Sequence, residues 1–126
     1  MDSGLASTWV LPSDLTAARV ARGHVFDTCR GVHPAKVVIA RLLVTELVAN
    51  AVLHGSGTVH LVVARDGEGI RVDVYDESSD PPVIVEGRSL PEHGMGMRLV
   101  VAMADNWGVA PRGDGRPGKR VWFALV

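Results

Sequence analysis

Three polar side chains recur every four residues in the stretch Glu46-Leu-Val-Ala-Asn50-Ala-Val-Leu-His54. On a helix this spacing lines Glu46, Asn50 and His54 along one stripe, beside the apolar Leu43, Leu47, Val48 and Ala51. An amide such as Asn50 can offer an oxygen to Mg²⁺, an ion that takes few protein ligands and fills its shell with phosphate oxygens and water. A carboxylate one turn earlier, Glu46, can orient or deprotonate a water or a protein hydroxyl aimed at a terminal phosphate. The solvated edge of an ordinary amphipathic helix produces the same pattern.

Two further places could do chemistry. Asp76 stands where a β-type alternation stops; its carboxylate could accept from an exocyclic amine such as the adenine 6-amino group, or could bond its own backbone in a turn, and Ser78 carries the same ambiguity. In His93-Gly94-Met95-Gly96-Met97-Arg98, glycines precede an apolar helical run. Free amides without a Cβ in the way suit an anion such as phosphate, and Arg98 could add charge; loop-to-helix punctuation explains the glycines equally well. Gly113-Asp-Gly-Arg-Pro-Gly118-Lys119 has the spacing of a P-loop but is followed by Arg120 and an apolar strand, where a P-loop needs Ser or Thr and a helix. A hairpin turn with a basic flank accounts for it.

The elements that must hold these groups are legible from periodicity and punctuation. A strand over Thr8–Leu11 leads to Pro12 and Ser13, the stop and cap for a helix from Asp14 to about Cys29, with Leu15, Ala18, Val20, Val25 and Phe26 inward. Pro34 opens a second helix, which Gly55 ends after His54. Strands follow at Thr58–Ala64 and Ile70–Tyr75, joined through 65–69, the second placing Val72 and Val74 opposite Arg71 and Asp73. A long loop from Asp76 to about His93, a short helix from Gly94 to Ala104, and strands at Trp107–Ala110 and Val121–Val126 complete the order. Two helices together, then hairpin-linked strands, predict an α+β sandwich with helices on one face of a mixed, mostly antiparallel sheet.

Composition narrows the function classes. The 126 residues suit one domain spanning the chain, and 47% hydrophobic content supplies a core. With Lys+Arg 13 against Asp+Glu 14 there is no basic field for a phosphate backbone, which argues against nucleic acid. The lone Cys29 reads as a packed thiol in a reducing compartment. The N-terminus lacks a basic-then-apolar leader, and no stretch reads as the ~20 apolar residues a bilayer requires, so a cytoplasmic protein without membrane contact is expected.

Taken together, Glu46-Leu-Val-Ala-Asn50-Ala-Val-Leu-His54-Gly55, Asp76-Glu-Ser78, Gly94-Met-Gly96-Met-Arg98 and Gly118-Lys-Arg-Val-Trp122 resemble the GHKL ATP-binding fold of gyrase, the ninety-kilodalton heat-shock chaperone, histidine kinases and mismatch-repair ATPases. The likeness runs from Trp9 to the last strand and is closest to the small stand-alone anti-sigma-factor serine/threonine kinases and their actinobacterial relatives. The resemblance implies Glu46 as base, Asn50 as Mg²⁺ ligand, Asp76 as adenine reader and His54 near the phosphates. The segment Glu77–His93 would be the ATP lid, with the amides of Gly94–Met97 cradling phosphates at its hinge. Where the wider superfamily follows the Asp with glycines, Ser78 and Asp80 stand here.

The implied function is an ATP- and Mg²⁺-binding regulator that phosphorylates an anti-sigma-factor antagonist, binds a sigma factor and pairs as a homodimer. The alternatives are a partner-sequestering module without catalysis and a water-directed ATPase.

Overall fold

The computed structural model of the chain describes residues 4–81 and 97–126. Its elements are, in order, β1 (Gly4–Leu11), α1 (Ala17–Thr28), α2 (Pro34–His54), β2 (Val59–Asp66), β3 (Gly69–Asp76), α3 (Met97–Met103), β4 (Asn106–Pro111) and β5 (Lys119–Leu125). The strands form one sheet in the order β1-β2-β3-β5-β4. Every pairing in it is antiparallel, so the expected sandwich is present with a sheet that is antiparallel throughout.

Alternation decides which sheet face the helices cover. Val59, Leu61 and Val63 of β2, Ile70, Val72 and Val74 of β3, and Val121, Phe123 and Leu125 of β5 are all buried on that side. The hairpin between β2 and β3 is tighter than the five residues expected: Gly67 turns at φ +61, leaving Gly67 and Glu68 between the strands. Against this face α2 lays Leu43, Val44, Leu47, Val48 and Ala51, all buried. Pro34 occupies its first turn, and the ring of His33 caps it, Nδ1 accepting from the Ala35 N–H at 3.1 Å.

Because α2 meets the sheet on one side and α1 on another, it is apolar around most of its girth. Its 21 residues, with mean hydropathy 1.7, are long and apolar enough to cross a membrane by length and composition. That corrects the expectation that no stretch qualifies; in this fold 44% of its most apolar window is buried, while Val38, Leu42 and Leu53 stay exposed.

The first helix also departs from expectation. It starts at Ala17 instead of Asp14, and Ser13 does not cap it. Asp14 closes a turn in front of it, accepting from the Thr16 N–H at 2.8 Å and the Thr16 hydroxyl at 2.5 Å. The buried stripe is therefore Ala17, Ala21, Val25 and Cys29, small side chains that let α1 approach α2 closely. Leu15 (72% exposed) and Phe26 (47%) point outward, and the guanidinium groups of Arg30 and Arg41 lie over the Phe26 ring. Cys29 is the packed thiol expected, its pKa pushed up by burial. On the sheet face away from the helices, Asp73 is held between Arg71 and Arg120, and Arg71 lies 4.3 Å from the Trp122 ring centre.

Candidate functional site

The period of β3 that buries Ile70, Val72 and Val74 carries on to Asp76, so this carboxylate faces α2 and is only 1% exposed. Directly opposite in the β3–β5 register stands Lys119, 6% exposed. Its Nζ lies 3.1 Å from Asp76 Oδ1 and 3.0 Å from Oδ2, and it donates a longer bond to the Ser78 carbonyl at 3.4 Å. The Ser78 N–H donates to Asp76 Oδ1 at 2.7 Å, and Ser78 Oγ accepts from the Asp80 N–H at 3.1 Å. Asp76 therefore does initiate a turn, and does so from inside a buried ion pair.

Two glycines pack closely on Asp76, one against its carboxylate and one against its backbone carbonyl. A Cβ on Gly55, the residue that ends α2, would sit 2.7 Å from Asp76 Cγ and 2.8 Å from Oδ2. On the other side Gly118, at φ +132, passes so close to the Asp76 carbonyl that a Cβ there would lie 2.2 Å from it. The loop after α2 is clasped to the end of β3: the Glu77 N–H donates to the Ser56 carbonyl at 2.8 Å, and the Glu77 carboxylate accepts from the Thr58 N–H at 2.8 Å. That second bond is the main cause holding the Glu77 carboxyl below its ordinary pKa.

Between α2, α3 and the strands lies a narrow crevice of about 10 Å³, room for a single water, lined by Leu47, Asn50, Ala51, Val74, Asp76, Met97, Lys119 and Val121. The fold thus brings Asn50, Asp76 and Met97 to one crevice. Of the helical stripe, Glu46 is 6% exposed, Asn50 is half-buried and His54 is exposed. A solvated helix edge consequently describes His54 and fails for Glu46. Arg98 is half-buried at the start of α3. Gly94, Met95 and Gly96 lie outside the described residues, as do 82–93 of the expected lid.

Sequence reasoning missed Lys119, read as the basic flank of a turn. The signal was there: the two-residue period of Val121, Phe123 and Leu125, extended back one step, puts Lys119 on the buried face. Gly55 was legible as a helix stop, but not as the gap beside Asp76. Among the described residues no three His, Cys, Asp or Glu side chains gather as a metal site.

The buried carboxylate at the end of β3 is thus walled by apolar Ala51, Val74, Met97 and Val121. Fold and site together define a two-layer α+β sandwich of the GHKL type, with its polar crevice between the long helix and the strand ends. The family model described as the histidine kinase-like ATPase domain matches residues 9–124, and the chain belongs to that family. An ATPase domain implies a nucleotide as ligand. Among solved structures, the chain is similar to the crystal structure of the RsbU and RsbW domains of Rv1364c from Mycobacterium tuberculosis, with a TM-score of 0.70 at 18% identity. The match covers 96% of this chain and 31% of that one, so the chain spans about a third of the length of that protein. No curated protein matches it.

Proposed function

We propose that the protein binds ATP with Mg²⁺ and transfers the terminal phosphoryl group to a Ser or Thr hydroxyl of a partner, as an anti-sigma-factor-like regulator. The observation that carries the reading is the burial of Glu46, 6% exposed, one turn before Asn50 on the helix that also lines the Asp76 crevice. A carboxylate held at the buried side of this helix, shielded from bulk water, is placed as a general base for a hydroxyl presented to it.

Asp76 would accept from the adenine 6-amino group, and Asn50 would give Mg²⁺ one amide oxygen while phosphates and water complete its shell. The magnesium ion, when bound, supplies charge neutralisation between phosphates. Arg98 and the amides around Gly94–Met97 would meet the phosphates, with His54 nearby at the exposed end of the stripe. Ser78 acts indirectly, its N–H holding Asp76 Oδ1 in place. The partners implied are a sigma factor, an antagonist protein that accepts the phosphate, and a second copy of the chain in a homodimer; the single buried thiol and the need for ATP suit the cytoplasm.

Pull-down with mass spectrometry identifies the acceptor, and transfer from labelled ATP to it is then followed with Glu46→Gln. Loss of a general base lowers the transfer rate about 100- to 10,000-fold while ATP binding persists. An unchanged rate removes Glu46 from the mechanism. A second reading, a partner-sequestering module without nucleotide chemistry, draws on the engagement of Asp76 by Lys119 and Ser78. Calorimetric titration separates the two, since kinase activity cannot survive an absence of ATP binding at millimolar concentration.

A further inference from the structure

Residues 22–30, on α1 and just past its end, and 38–45 of α2 hold three arginines, Arg22, Arg30 and Arg41, against one acid, Asp27, in a chain whose formal net charge is −1. Arg22, Phe26 and Arg30 recur every four residues and so share one side. That side borders α2: Arg22 Nη1 donates to the Thr45 hydroxyl at 3.0 Å, and the guanidinium groups of Arg30 and Arg41 sit 5.4 and 5.6 Å from the Phe26 ring centre. One turn from Arg41 and Thr45, Val38 and Leu42 stay 65% and 40% exposed, as Phe26 does at 47%. Apolar and cationic side chains therefore interleave on one outward face of the helical layer.

Their charge is not answered within the chain. Arg30 meets Asp27 at 3.1 Å, but both side chains are well exposed and such a pair holds little energy. Among the described residues no carboxylate lies within ion-pair distance of Arg22 or Arg41, and the Arg41 Nε–H is shielded from water without an acceptor. Arginine beside aromatic and aliphatic side chains is the composition of interface centres, because a guanidinium is weakly hydrated and bonds carboxylates in a fork.

We propose that this face receives an acidic, apolar-faced helix of a partner protein. Its apolar side chains cover Phe26, Val38 and Leu42, while its carboxylates accept from Arg22, Arg30 and Arg41. From Arg22 to Arg30 is about 12 Å of helix, two turns of a facing one. Both walls of the groove are helices whose backbone bonds are internal, so an extended segment finds no strand edge to pair with, whereas a helix brings its own bonds. An anionic membrane fits less well, since a helix that sinks into lipid keeps its arginines on the face opposite its apolar one and here they share a face.

The inference goes beyond the nucleotide reading and does not rest on it, so every assay is run without nucleotide. A phage-displayed library of random peptides is selected on the full chain, and the enriched peptides are titrated by fluorescence anisotropy. They carry apolar residues at helical spacing among Asp and Glu. Arg41→Glu and Leu42→Glu each weaken their binding about 10-fold or more, while Val10→Glu, on the far face of the sheet, changes it less than about twofold. Should Arg41→Glu lower the urea midpoint by more than about 0.5 M, Arg30→Glu, at a side chain 70% exposed, takes its place. Enriched peptides that lack acidic residues, or that bind the variants as they bind the natural protein, overturn the proposal. So does binding to phosphatidylglycerol vesicles that the same substitutions abolish, which assigns the face to a membrane, or a dimer in sedimentation that they dissociate, which assigns it to a second copy.

Discussion

Replacing the buried pair at the strand ends separates what Asp76 and Lys119 contribute individually from what they contribute together. Lys119→Met leaves a carboxylate, 1% exposed, with the Ser78 N–H at 2.7 Å as its one hydrogen bond among the described residues. Asp76→Leu leaves an ammonium, 6% exposed, with only the 3.4 Å contact to the Ser78 carbonyl among the described residues. Stranding one member of a buried pair costs about 3–5 kcal/mol, a large share of the roughly 5–15 kcal/mol that holds a domain of this size together. The double variant extends the apolar Val74–Val121 row and loses, besides the pair, the bonds of Ser78 to Asp76 and Lys119, about 1–2 kcal/mol, so the two single effects fail to add by at least about 4 kcal/mol. Urea unfolding followed by the fluorescence of the three tryptophans reads this directly: with a slope of about 2 kcal/mol per molar, each single substitution lowers the midpoint by about 1.5–2.5 M and the double by less than about 1 M. Single variants within about 0.5 kcal/mol of the natural protein, or a double variant that costs the sum of the singles, would show that the pair is not desolvated and would refute this account of the site.

Gly55→Ala introduces a Cβ 2.5 Å from the Ala51 carbonyl and 2.7 Å from Asp76 Cγ, neighbours held by the helix and by Lys119. About 1–3 kcal/mol of destabilisation follows, a fall of roughly 5–10 °C in melting temperature, and an unchanged melting curve would mean the glycine leaves no needed gap. Acid acts in two stages. Burial beside Trp9, whose ring stacks on it at 4.0 Å, pulls His24 below its usual 6.5, so the unfolded chain takes up its proton first and stability falls as pH drops below that value. The Glu77 carboxyl is held below its usual 4.5, so the stabilisation from its bond to Thr58 is present above that pH and lost as pH falls further. Urea midpoints measured across pH 7 to 3 decline in both windows, and His24→Phe, which keeps a ring against Trp9, flattens the upper one; a midpoint that rises on acidification contradicts the assignment.

Much of this molecule is written locally. Pro34 and Gly55 bracket the long helix, alternation marks Val72 and Val74 as one face of their strand, and the four-residue spacing places Glu46, Asn50 and His54 on one stripe, all as found. Local rules faltered where a neighbour decides. Leu15 and Phe26 are apolar enough for a core, yet the Asp14 turn delays the helix start to Ala17, and the small side chains of Ala17 and Ala21 take the inward positions.

What the residues determine unaided is the order of elements and, for the strands, the membership of each face, since both follow from backbone periodicity within a dozen residues. That Glu46 is buried while His54, two turns along the same stripe, is exposed depends on where the sheet and the other helices end, which no helical period encodes. The meeting of Asp76 with Lys119 depends on the antiparallel register of β3 against β5, a pairing across 43 positions of chain. Only the assembled sheet sets that register, and with it turns the lysine of an apparent turn into a partner of the site's buried carboxylate.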